Sequence, residues 1–127
     1  MKLKNLMVIK AVVVFVFGIA FVLIPTTTMS FYGVMLSQGG ALMAQFFGAS
    51  FILLGIVLWS ARNASRSDMA LQAIVQAIVV GDLIGFIIAL MAQLNGVMNA
   101  LGWGNVALYL ILALGFGYFQ FVKPTNS

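Results

Sequence analysis

The sequence predicts an all-α, polytopic membrane protein: one integral membrane domain over residues 1–127, folded as a four-transmembrane-helix bundle. Three observations carry that expectation. First, 64% of the 127 residues are hydrophobic and 6% are charged, about a quarter of the charge typical of soluble domains. A small soluble fold keeps too much of its area exposed to hide so much apolar surface. Second, the apolar residues fall into four runs, each near the ~20 residues that cross a ~30 Å hydrocarbon core. Third, every Lys and Arg outside those runs falls on one side of a four-span topology.

The first helix is expected over residues 6–24, ending at Pro25. In lipid a segment must satisfy its own backbone hydrogen bonds, so these runs read as helices. The short alternating strands of a membrane barrel are absent. Lys2 and Lys4 ahead of an apolar stretch have the layout of a signal peptide. No A-x-A-like site follows, since the chain reads Pro25-Thr26-Thr27-Thr28, so the run is expected to remain as a helix. In the loop that follows, Met29, Tyr32 and Leu36 have helical spacing, which suits a short helix lying in the interface.

The second helix is expected over residues 40–59 and the third over 69–94. Ser65-Arg66-Ser67-Asp68 has the S-x-x-D form of a capping box, with Ser65 as N-cap and Asp68 at the positive end of the helix dipole. The fourth helix is expected over residues 103–122, ahead of Pro124. Trp59 and Trp103 then sit at opposite membrane faces, where indole prefers to lie. Gly18 with Gly85, and Gly48 with Gly115, recur at an offset of 67 residues, too few matches among 13 glycines to establish a repeat.

Charge sets the expected topology. Lys2 and Lys4 precede the first helix, Arg62 and Arg66 lie between the second and third, and Lys123 follows the fourth. The loops over 26–39 and 95–102 carry no charge. By the positive-inside rule both termini are expected in the cytoplasm, with the chain in the plasma (inner) membrane.

Helices in lipid approach one another at small residues. Gly48 and Gly55 extend a heptad line from Ala41, Gly81-x-x-x-Gly85 marks the third helix, and Ala113-x-x-x-Gly117 the fourth. Packing within the bundle is the first use expected of these faces; a homo-oligomer or another membrane protein is the second. The lipid bilayer is the one partner implied directly. The net charge of +4 is scattered, with no basic face for nucleic acid.

The chain has no cysteine and no histidine. Thiol chemistry, a His general base, and His- or Cys-held metals, haem and iron–sulfur clusters are excluded. Two carboxylates, Asp68 and Asp82, do not make a hard-metal cage. No catalytic residue, metal or cofactor is expected, and the chain reads as a non-enzyme.

The stretch Gly40-Ala-Leu-Met-Ala-Gln-Phe-Phe-Gly-Ala-Ser, the later Leu58-Trp-Ser-Ala-Arg-Asn, and Tyr32-Gly-Val after Pro25 carry a resemblance. The whole chain resembles small four-helix bacterial membrane proteins of unknown function and, in general shape, is similar to DoxX-like proteins. The resemblance implies the fold. It brings no catalytic residue.

Asp82 is the one acid inside an apolar run, about 12 residues from either end and so about 18 Å deep at ~1.5 Å per residue. A charge there costs ~2.5–3.5 kcal/mol on insertion scales. Lys10 lies only about 6 Å inside its own helix end by the same count, which favours snorkelling over a pair. Ser50, at about 15 Å, is the better-matched partner for a neutral acid. Two functions follow. The chain is an accessory or interaction protein without enzymatic activity, or it is a small proton-coupled transporter using Asp82.

The topology is open to direct test because no native cysteine interferes. Ser37→Cys should react with an impermeant maleimide on intact cells, and Ser127→Cys only after permeabilisation. The opposite pattern reverses the orientation.

Overall fold

Proline and capping side chains decide where the helices begin and end. The computed structural model describes residues 2–122. Helix α1 (Leu3–Leu23) stops at Ile24 because the residue before a proline is driven out of helical geometry. Pro25 then opens a short helix, α2 (Pro25–Ser30), at the first position, where a missing N–H costs nothing. Thr28 stitches the two together, its hydroxyl donating to the Ile24 and Ala20 carbonyls. The short helix therefore comes earlier than the Met29–Leu36 spacing suggested. Gly33, at φ 75°, turns the chain after it.

Helix α3 (Gln38–Ala61) is capped by Ser37, whose hydroxyl accepts from the Gly40 N–H at 3.0 Å. Helix α4 (Met69–Leu94) is capped by Asp68 and not by Ser65. Asp68 accepts from the Ala70 N–H at 2.8 Å, while the Ser65 hydroxyl is engaged with that of Ser67. A turn closed from the Asp68 N–H to the Ser65 carbonyl puts Asp68, three residues later, at the cap position. Helix α5 (Gly102–Gly117) continues into a π-helical stretch, Tyr118–Val122. No strand occurs among the described residues. Among the described residues four helices, counting α5 with its extension, are long and apolar enough to cross a membrane. Lys123 lies outside the described residues.

The helices associate as two pairs. Helix α1 packs along α3 and α4 along α5; a narrower contact joins α1 to α5, and α3 and α4 share no comparable one. Small residues set the first pairing. A Cβ on Gly48 would lie 2.7 Å from the Gly18 carbonyl oxygen, and one on Gly18 would lie 2.9 Å from the Gly48 oxygen. Gly55 lies against the Phe15 ring and Gly85 beneath the Tyr109 ring. Gly81 and Gly117 are corrections to the expected packing faces: neither has a neighbour where its Cβ would stand. The two pairs share one connectivity, yet the glycines offset by 67 do not make equivalent contacts, since Gly115 meets Leu6.

The best-packed region lies at the end that carries the N-terminus and the 62–68 loop, called here the terminal end. Met7 and Ala11 of α1, Leu58 of α3, Val75 of α4 and Phe116 of α5 are almost wholly buried there in one cluster. Arg66 belongs to this end as a structural residue as well as a cation. It is buried, donates to the Phe119 carbonyl at 2.6 Å, and holds its guanidinium 5.9 Å from the centre of the Phe119 ring. Lys2, Lys4 and Arg62 lie at the same end of the bundle. At the far end, Asn99 ties the two loops together. Its amide donates to the Phe31 carbonyl at 2.9 Å and its backbone N–H to the Tyr32 carbonyl at 2.8 Å.

Because the Gly18 backbone leaves no room at Gly48, Gly48→Leu should cost about 1–3 kcal/mol by overpacking, read as earlier melting in detergent. Gly117→Ala, with open space around it, should melt as the wild type does. Equal melting of both variants and the wild type would show that α1 and α3 need no close approach.

Candidate functional site

Positions 10, 14, 17 and 21 of α1 share one helical face at i, i+4, i+7 and i+11. That face presents Lys10, Val14, Phe17 and Phe21 toward the interior. Lys10 Nζ donates to Asp82 Oδ1 at 2.7 Å, and each side chain is only 5% exposed. The pair crosses from α1 to α4, and so from one helix pair to the other.

This overturns both expectations about the partner of Asp82. Lys10 does not snorkel; it is buried. Counting depth from the two helix ends placed those ends in a common plane. Helix α4 has 26 residues and α1 has 21, so their ends need not align, and the four-carbon lysine stem covers part of the remaining offset. Ser50 is exposed and donates to the Phe46 carbonyl of its own helix at 3.2 Å. That back-bond satisfies a helical serine without a partner helix.

The two helix pairs do not close on each other along their whole length. Between them lies a cavity of about 630 Å³. Lys10 and Asp82 line it, and Ile74 and Ala77 of α4 and Val57 of α3 line it further toward the terminal end. Its walls are apolar and aromatic, with Phe17 and Phe21 from α1, Phe47 and Phe51 from α3, and Tyr109 from α5. Gly81, one turn before Gly85, lines it as well, which explains why nothing packs on Gly81. Leu53 of α3 and Ile84 and Ile88 of α4 line the cavity while each is more than half exposed. The gap between α3 and α4 therefore opens the cavity sideways.

The far end of the cavity is closed over by Met29, Tyr32 and Asn105. The Tyr32 hydroxyl donates to Asn105 Oδ1 at 3.1 Å. Burial raises the Tyr32 pKa above its ordinary value and the hydrogen bond to Asn105 offsets part of that rise, so the phenol keeps its proton through the neutral range.

Tyr109 and Asn105 were not singled out from the sequence. Their signal was there: two polar side chains four apart on an otherwise apolar helix share a face. Asp82 Oδ2 completes the site. It is buried and has no hydrogen-bond partner among the described protein groups. Buried polar atoms in native proteins are nearly always paired, and an unpaired one calls for an explanation.

The site thus offers one ammonium, one carboxylate and two phenols around an apolar volume. No group of three or more His, Asp, Glu or Cys side chains stands together among the described residues, so a lone carboxylate already held by Lys10 offers no metal cage. Comparison with protein-family models, curated proteins and solved structures found no match.

A buried pair is costly to break and inexpensive to replace whole. Lys10→Met should lower stability by about 3–5 kcal/mol by stranding Asp82, and Lys10→Met with Asp82→Leu should recover most of it. Unfolding in mixed micelles measures both. A double variant as unstable as the single one would show that the two residues are not coupled.

Proposed function

We propose that this chain is an integral membrane protein that binds a lipophilic molecule inside its helix bundle, as an interaction protein and not as an enzyme. The observation that carries the reading is the apolar-walled cavity between the helix pairs, with a few polar side chains in its lining. Its volume of about 630 Å³ falls within the ~300–1,000 Å³ of ligand pockets, which are largely apolar with a few placed polar groups. The lateral gap between α3 and α4 suits a molecule already dissolved in lipid. The absence of Cys and His from the sequence removes the commonest nucleophiles and bases, which supports binding without catalysis. The cation distribution supports a plasma-membrane location with cytoplasmic termini, and the terminal end is then the cytoplasmic one.

Proton-coupled transport using Asp82 is the second reading. One observation favours it: the ion pair joins the two halves of the bundle beside the cavity. Rocking of one half against the other is how repeat-built carriers alternate access. Transport would require the terminal-end cluster to open, whereas binding leaves it closed.

Native mass spectrometry of the purified protein with 1-dodecanol tests the binding reading. A one-to-one adduct is expected, and Gly81→Phe, which grows a ring from an unobstructed glycine into the cavity, should abolish it. No adduct, or one that survives Gly81→Phe unchanged, overturns the reading.

A further inference from the structure

A second recess, of about 360 Å³, opens at the terminal end, apart from the cavity between the helix pairs. The chain has six Lys and Arg residues, and four of them line this recess: Lys2 and Lys4 at the start of α1, and Arg62 and Arg66 in the loop between α3 and α4. Neither aspartate joins them. Asp82 is paired with Lys10, and Asp68 caps α4. The cations that the sequence scatters are gathered by the fold. We infer that this recess binds the phosphate headgroup of an anionic phospholipid from the leaflet on that side.

Orientation in the membrane explains why cations lie at this end, but not why they surround one hollow. Cations spread along tails and loops would set topology equally well. Brought together without an acid they repel one another, and an anion among them removes that cost. The first turn of α1 starts in the same recess, at Leu3, and no side chain caps it, so the positive end of its dipole adds to the four charges. Arg66 is held by the Phe119 carbonyl and contributes charge from a fixed position. Lys2 and Lys4 are exposed, and each ammonium carries three donors that can turn toward phosphate oxygens.

The lining favours a lipid over a free phosphate. Leu3, Met7 and Leu71 line the recess and are buried, so an apolar inner wall underlies an exposed cationic rim. Arg62 lies over the Trp59 ring, 4.0 Å from its centre, and indole at a helix end marks the headgroup level. A headgroup tied to acyl chains in the adjoining leaflet is also held at high effective concentration, which a soluble ester is not. Basic residues at this level attract anionic lipid at about tenfold or slightly less each. The recess is separate from the cavity, so this inference stands or falls independently of the binding reading.

The test uses Trp103→Phe, which leaves Trp59 as the one tryptophan, reconstituted in phosphatidylcholine vesicles. A small, equal fraction of chain-brominated phosphatidylglycerol or chain-brominated phosphatidylcholine is added, and quenching of Trp59 reports which lipid lies beside the recess. A relative affinity at least about tenfold in favour of phosphatidylglycerol is expected, and it should shrink as potassium chloride is raised. Lys2→Gln with Lys4→Gln should cut the preference at least about fivefold, while Lys2→Arg with Lys4→Arg should keep it. Thr26→Glu with Gln38→Glu lowers the net charge equally at the far end and should leave the preference unchanged. Soluble glycerol phosphate should relieve the quenching no more than potassium chloride of the same ionic strength. No preference for phosphatidylglycerol, a preference indifferent to Lys2 and Lys4, or one lost equally in the glutamate variant overturns the inference. Stronger relief by glycerol phosphate than by the salt would make a free phosphate ester the occupant and overturns the lipid as its source.

Discussion

The pair between Lys10 and Asp82 is the constraint on which the arrangement of this bundle turns. Lipid gives apolar helices no reason to prefer one another. Within each helix pair close approach supplies the contact, as where Gly18 and Gly48 bring their backbones together. Between the pairs the contact is thin, and α3 and α4 share almost none. A 2.7 Å ion pair with both partners buried fixes the axial register of α1 against α4, because sliding either helix by one turn strands a charge in an apolar interior. Apolar residues of similar volume would often give equal or greater stability than such a pair. Its contribution is therefore register more than net stability.

That register determines the shape of the space beside it. Below the pair, Met7, Leu58, Val75 and Phe116 close the bundle. Above it, the aromatic rings of α1 and α3 line the cavity from the α1–α3 side. Phe21 meets Phe47 edge-on at 5.3 Å between centroids, and Phe47 leans on Phe51 at 4.2 Å. These rings pack on each other within the α1–α3 pair and do not reach across to α4. At the far end Asn99 and the Tyr32–Asn105 bond stop the pairs from separating further. The two helix pairs are thus joined by polar fastenings of two kinds, one ionic and one neutral.

Much of this was legible in the sequence, and the rest was hidden for definable reasons. Span lengths were readable because bilayer thickness fixes them; the third helix was placed at 69–94, where α4 lies. Asp82 stood out because a carboxylate in an apolar run has no bland explanation. Its partner did not, because depth counted along each helix carries no information about how the helices are offset. Ser50 illustrates the converse error. Its depth matched, but depth says nothing of facing, and a serine that bonds its own helix at Phe46 needs no partner. The cap of α4 shifted from Ser65 to Asp68 because the intervening turn, closed by a backbone hydrogen bond, is invisible in a four-residue motif.

The Gly81-x-x-x-Gly85 spacing shows most sharply what a motif leaves open. Read as a packing face, both glycines should meet a neighbouring helix. In the structure they do different things one turn apart. Gly85 admits the Tyr109 ring so closely that a Cβ would stand 2.5 Å from it, which lets α5 lie against α4. Gly81 meets nothing and faces the cavity. A glycine within a helix costs conformational entropy that alanine would spare, and packing does not offset that cost at Gly81. What its missing side chain provides is room, one residue before the carboxylate whose second oxygen is unpaired. A bundle shaped only for packing would gain by filling that space. The open glycine and the lateral gap between α3 and α4 are the features that support the proposed binding of a lipophilic molecule.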